Sequence, residues 1–294
     1  MTAIQPIPYG GSSIWIGALE VIPVFDGYSR EDPTRFYAVH PDAPPQKGDR
    51  IEDWTPYRDF LDDDGRIEHG LGGFLIRAGD RFTLIDCGVG PTQVGPYGPY
   101  RRVIAGGELP ERLRQIGVDA GQITDVVLTH LHPDHYGWAA TGGGSLFPNA
   151  TFRCHAFDWD HFVVEPSGNQ SGLAAGLKDL EPRLETIDRD GPVLPGIDCR
   201  LAPGHTPGSI IVILSSGSHR GILLGDVVHC PVELVDDEWA SLGDVDPALA
   251  RRTKVALARE LEGTADPVVG AHFPGMRFGR LIPTDSGRRW SIQV

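Results

Sequence analysis

The chain has 294 residues, of which 40% are apolar and 22% charged, a globular balance that excludes a disordered protein. A net charge of −14 at pH 7 excludes general binding to nucleic acid or to an anionic membrane surface and leaves a small molecule as the expected partner. No 18-residue apolar run predicts a membrane span. Met1–Gly10 lacks the basic head and apolar run of a signal peptide, and Cys87, Cys154, Cys199 and Cys230 stand far apart without a C-x-x-C, as reduced thiols of a cytoplasmic protein would.

In chain order, residues 14–25 alternate loosely and predict an opening strand pair. Residues 26–70 break that pattern with Pro33, Pro41, Pro44, Pro45 and the acidic run Asp62-Asp63-Asp64, yet hold Tyr28, Phe36, Tyr37, Trp54, Tyr57 and Phe60. An aromatic excursion this long predicts an ordered lid or a homodimer contact. Residues 73–77 and 82–86 read as strands around the turn Ala78-Gly79-Asp80, residues 91–106 as a Gly/Pro-rich loop, and Leu109–Gly117 as a helix with Pro near its start and Gly at its end. Residues 123–129 form a buried strand that runs into a short helix at 133–140. Further strands are expected at 151–155, 184–188, 197–201, 209–214, 221–224, 267–270 and 276–281. A surface helix is expected at 157–164 and an amphipathic one at 247–261 with Asp246 as N-cap. Alternating strands and helices without an internal boundary predict one α/β domain over 1–294.

The densest chemistry is Thr129-His130-Leu131-His132-Pro133-Asp134-His135-Tyr136. In a strand, His130 and His132 share a face, and the turn into a helix brings Asp134 and His135 to the same side. Imidazole and carboxylate donors suit Zn²⁺ and similar ions, and four of them in one segment exceed what one open site takes, so two divalent ions are expected. More donors sit at strand ends: His205 in Pro203-Gly204-His205-Thr206-Pro207-Gly208, Asp226 in Leu223-Leu224-Gly225-Asp226, and His272 in Gly270-Ala271-His272-Phe273. A carboxylate at the end of a buried strand is costly unless it meets a cation.

This series, H-x-H-x-D-H, G-H-T-P-G-S, G-D and a late His, together with Leu84-Ile85-Asp86-Cys87-Gly88, resembles the metallo-β-lactamase superfamily from about Gly73 to His272. The resemblance implies an αββα sandwich with two metal ions, Zn²⁺ by family habit, at one edge between the sheets. It implies His130, His132 and His205 on one ion, Asp134, His135 and His272 on the other, and Asp226 bridging. The layout is similar to the N-acyl homoserine lactonase and methyl parathion hydrolase branch, in its aromatic excursion, in Gly225-Asp226-Val227-Val228-His229 and in Ala271-His272-Phe273-Pro274-Gly275. That implies a lactonase or esterase working through a metal-bridging hydroxide, with Asp134 or Asp226 moving the proton. Many such lactonases carry a Tyr at the position of His229 that hydrogen-bonds the substrate carbonyl, a bond a His can also donate. Tyr136, Trp138, Phe273, Trp54 and Tyr57 are the expected pocket lining. The alternatives are an organophosphate or aryl ester hydrolase, a glyoxalase II-like thioesterase, and a non-catalytic metal-binding protein on the same scaffold.

Overall fold

Two seven-stranded sheets carry the molecule. The computed structural model describes residues 13–37, 46–91, 94–97, 102–142, 144–166, 175–239, 241 and 243–292. The first sheet takes β1 (Ile14–Ile16), β2 (Leu19–Glu31), β3 (Ile67–Ala78) and β4 (Arg81–Ile85). A hairpin of β5 (Val94–Tyr97) and β6 (Arg102–Ile104) stands apart, and β7 (Asp125–Val127), β8 (Thr151–His155) and β9 (Leu184–Ile187) complete the sheet. The second sheet is β10 (Gly191–Leu194), β11 (Ile197–Leu201), β12 (Ile210–Ser216), β13 (His219–Leu223), β14 (Val268–Val269), β15 (Gly279–Thr284) and β16 (Gly287–Ile292). The α-helices are α1 (Pro33–Phe36), α2 (Leu109–Gln115), α3 (Pro133–Tyr136), α4 (Ala156–Trp159), α5 (Val232–Val235) and α6 (Pro247–Leu261).

Side-chain alternation explains the layering. Val21, Phe25, Phe74, Ile76, Ile85 and Val127 pack in one core with Ile197, Val212 and Ile222 of the second sheet. Their strand neighbours Ile22, Val24, Leu75, Leu84 and Val126 point the other way and pack with Leu109 and Leu113 of α2. On the far side Leu257, Ala258 and Leu261 of α6 join the first core, and Asp246 caps α6 by accepting from Leu249 N at 2.9 Å. The result is an αββα sandwich. Each fully buried aliphatic contributes about 1.5–3 kcal/mol, so near-continuous apolar strands are what a sheet covered on both faces requires.

Strand direction then decides where the loops go. β4, β7 and β8 run parallel, with Ile85 beside Val127 and Val127 beside Arg153, and in the second sheet β13 runs parallel to β14 with Leu223 beside Val269. Asp86, His130, Asp226 and His272 all follow the carboxyl ends of these strands, the edge where open α/β sheets bind ligands.

Several boundaries differ from the sequence reading. β2 and β3 pair from Glu20↔Arg77 through Glu31↔Ile67, so the excursion outside the sheet is 32–66 and not 26–70. The strand expected at 123–129 pairs only over Asp125–Val127, and the helix expected at 133–140 ends at Tyr136. β16 was not foreseen, because of its residues only Trp290 is buried and one inward apolar residue leaves no alternation to read. Met1–Gly10, Pro41, Pro44 and Pro45, and parts of the 91–106 loop, lie outside the described residues. Among the described residues no helix is long and apolar enough to cross a membrane.

The described parts of the excursion are anchored by their aromatics. Phe36, Tyr37, Trp54 and Ile67 bury against Cys230, Val232 and Trp239. Lys47 and Tyr57 both donate to Asp236 Oδ2, the latter at 2.6 Å. Burial opposes ionisation of Asp236, but these two donors outweigh it and hold the carboxyl below its usual range. A depressed carboxyl stabilises the fold above its unfolded pKa, about 3.9, and that contribution is lost as pH falls through the lower folded value. The wild type should therefore melt above Asp236→Asn at pH 5–7, with the gap closing as pH falls below about 4. A gap that is constant from pH 7 to 3 in thermal melts would sink this.

Candidate metal centre

The centre is assembled from five loops, each held by a short backbone device. Thr129 leaves β7, and its N–H and hydroxyl donate to the two oxygens of Asp86 at 2.7 and 2.8 Å. Asp86 itself has φ 58, a left-handed conformation that a short polar residue tolerates better than most. Gly225 precedes Asp226 with φ 53, and a Cβ there would meet Thr129 at 2.8 Å, so only glycine lets the two loops touch.

The expected donors converge. His130 Nε2 and His205 Nε2 each lie 3.0 Å from His132 Nδ1. Asp134 Oδ2 lies 3.6 Å from His272 Nε2, and Asp134 Oδ1 lies 4.0 Å from His135 Nε2. Asp226 Oδ2 sits among four of them. It is 3.1 Å from His272 Nε2, 3.3 Å from His135 Nε2, 3.6 Å from His205 Nε2 and 3.8 Å from His130 Nε2. The trios His130–His132–His205, His130–His135–Asp226, Asp134–His135–His272 and His205–Asp226–His229 each bring their ligand atoms within 4.8 Å of one another.

Electrostatics fit a cation site. Burial and neighbouring imidazoles push His130 well down and His132 down to about 3, so both rings are neutral with lone pairs available. Burial works against the charge on Asp226, yet His135, His272 and His229 hold its carboxyl well below the usual range. Asp134 is lowered in the same way, by His135 and His272 against its burial. Asp226 Oδ1 is buried with no hydrogen bond among the described residues. Converging lone pairs and a buried oxygen without a donor destabilise a protein core, whereas divalent cations satisfy both. The residues form clustered His/Asp sites of the kind that hold a dinuclear metal centre.

The ring orientations are set from behind. His135 Nδ1 faces Asp86 Oδ2 at 2.9 Å, His205 Nδ1 faces Asp244 Oδ1 at 3.0 Å, and His272 Nδ1 donates to Gly70 O at 2.8 Å. The sequence reading missed Asp244, and it misread Asp158, which was expected on a surface helix. Asp158 is fully buried and accepts from Leu131 N at 3.0 Å, Gly208 N at 2.6 Å and Thr206 Oγ1 at 2.9 Å. It thereby ties the His132 loop to the His205 loop. No pattern in the linear sequence marks it, since the apolar Phe157 is exposed while the charged Asp158 is buried.

The expected pocket lining needs correction. Trp138 donates its indole N–H to Asp26 Oδ1 at 2.8 Å and packs in the α2 core. Phe273 is buried against Trp290, with ring centroids 5.3 Å apart. Trp54 is buried on Trp239 with its N–H on Gly48 O, and Tyr57 is committed to Asp236. Each is held by packing or a hydrogen bond that the linear sequence does not display. Tyr136 packs in the α2 core, 6% exposed. Among the described residues of the excursion, Phe36 comes to the centre, its ring 5.6 Å from that of His229 and 4.2 Å from that of His69.

A model of the metallo-beta-lactamase superfamily matches residues 73–272. The metallo-beta-lactamase domain-containing protein 1 of Homo sapiens is 29% identical over 205 residues, covering 69% of this chain and 65% of that protein. The N-acyl homoserine lactonase AiiB of Agrobacterium fabrum is 39% identical over 180 residues, 54% of this chain and 62% of the lactonase. The chain thus spans a little under two thirds of these two relatives. The structure of AidC, described as a dizinc quorum-quenching lactonase in complex with a product, has a TM-score of 0.79 at 24% identity, covering 97% of this chain and 98% of that one. At such identity the likeness concerns the fold.

Proposed function

The chain belongs to the metallo-β-lactamase superfamily, and from that premise we propose that it is a metal-dependent hydrolase that opens lactones or cleaves closely related carboxylic esters. The observation that carries the proposal is the convergence of His130, His205, His135 and His272 on the Asp226 carboxylate, with His132 grouped with His130 and His205 and Asp134 with His135 and His272. The 39% identity to a protein named as an N-acyl homoserine lactonase supports the ester class. Two divalent ions, Zn²⁺ by the character of the donors, would supply Lewis-acid charge at a carbonyl oxygen and acidify a nearby water.

The chain's own groups supply the rest. Water adds to the acyl carbon, the ring C–O bond breaks, and the proton leaving the water must reach the departing alkoxide. Asp226 Oδ1, buried and without a hydrogen bond, and the carboxylate of Asp134 are the acceptors positioned to carry it. A covalent thiol route is disfavoured, since all four cysteines are buried and burial pushes Cys199 up to about 12 and raises Cys87, Cys154 and Cys230 as well. Phe36 offers an apolar wall beside the centre for an acyl or ring carbon.

Metal-loaded protein should hydrolyse γ-lactones with kcat/KM at least about tenfold above that for a thioester or a phosphotriester, and lose the activity on chelation. Hydrolysis of thioesters or phosphotriesters alone would overturn the lactone assignment.

A further inference from the structure

His229 faces the centre alongside the metal-facing histidines. His135 and His205 each turn Nδ1 to a carboxylate and Nε2 to the centre, and His272 does the same with a backbone carbonyl. His229 points Nε2 the same way, 3.3 Å from Asp226 Oδ2, the same distance that separates His135 Nε2 from that oxygen, and its ligand atom lies within 4.8 Å of those of His205 and Asp226. Its buried Nδ1 makes no hydrogen bond among the described residues, with Glu233 Oε1 3.7 Å away. Its ring is 4.9 Å from that of His205 and stacks parallel to that of His272 at 5.9 Å, and it is buried at 5% exposure. Glu233, next to the His229 ring, is itself fixed. It accepts from Lys254 Nζ at 2.8 Å, Tyr37 OH at 2.7 Å and the N–H groups of His229 and Cys230 at 3.2 and 3.3 Å.

We propose that His229 is an eighth donor to the dinuclear centre, ligating through Nε2 the same ion as His205. The inference rests on the reading that the centre holds two ions, but not on the identity of the ester.

Three measurements on the full chain test it. Apo protein refilled with Zn²⁺ against a chelator should take two ions, and both His229→Ala and His229→Gln should weaken one of them by about ten- to a hundredfold. Co²⁺-loaded wild type should change its visible absorption on either substitution. In the proton spectrum of Co²⁺-loaded wild type, six rather than five hyperfine-shifted exchangeable imidazole N–H signals are expected, a count that needs no variant to fold. Two ions bound at wild-type affinity in both variants, or five shifted signals, would overturn the ligand role, and a fall in turnover alone would then place His229 on the substrate. A wild type that takes fewer than two ions would overturn the dinuclear reading itself, and this inference with it.

Discussion

Asp226→Asn should lower kcat/KM at least about a thousandfold, equivalent to roughly 4 kcal/mol of transition-state stabilisation, and reduce tightly bound metal from two ions towards one. The substitution keeps the side-chain volume, so no cavity forms and packing is not the cause. It removes the charge at Oδ2, the atom that His130, His135, His205 and His272 all approach within 3.8 Å. An amide is a poor bridging donor, and two cations without a shared anion between them repel at close range. Metal analysis and steady-state kinetics on one preparation check this. Two retained ions with activity within about threefold of wild type would remove Asp226 from the centre of the mechanism.

Asp26→Ala is the matching prediction for stability, a loss of about 4 kcal/mol or more in chemical denaturation. One buried carboxylate accepts five N–H groups: Val89 at 2.8 Å, Gly90 at 3.1 Å, Gly107 at 2.9 Å, Leu109 at 3.0 Å and the Trp138 indole at 2.8 Å. Hydrogen bonds to a charged group contribute roughly 1.5–3 kcal/mol each, and an orphaned buried donor costs about 1–3, so partial rehydration still leaves a large deficit. Leu109 begins α2, whose Glu108 N-cap makes no side-chain cap bond, so Asp26 also serves the positive end of that helix from outside it. The damage should spread to the metal, because the same loop gives Cys87 N to His135 O at 2.7 Å. Reduced Zn²⁺ affinity alongside the lower denaturation midpoint is expected. A stability change under about 1 kcal/mol would show that other partners replace the carboxylate.

The two predictions mark what could be read from the linear chain. Asp226 was legible because chemistry that needs donors puts them in short, rare patterns, and a strand-end carboxylate after Leu223-Leu224-Gly225 has few other uses. A sheet core flanked by helices was legible too, since apolar runs such as Val126-Val127-Leu128 demand a sheet covered on both faces, whereas the αββα arrangement was implied only by the resemblance to the superfamily. Asp26 was not. In the sequence it is one acidic residue before a turn, and its five partners lie 63 to 112 positions away.

By itself, then, the sequence determined the donor set, because His130, His132, Asp134 and His135 are local neighbours and His205, Asp226 and His272 sit at strand ends that periodicity reveals. Tertiary structure alone decided which side chains orient that set. Asp86, Asp158 and Asp244 act through hydrogen bonds across long chain separations, and neither composition nor spacing encodes such a bond. Tertiary structure also decided which aromatics meet the site. Trp54, Tyr57, Trp138 and Phe273 are consumed by packing and hydrogen bonds, whereas Phe36 from α1 is carried to the side of His229 by the burial of Tyr37 and Trp54 on Trp239. Apolar burial is nondirectional, so the sequence could announce an aromatic cover without saying which ring would face the centre.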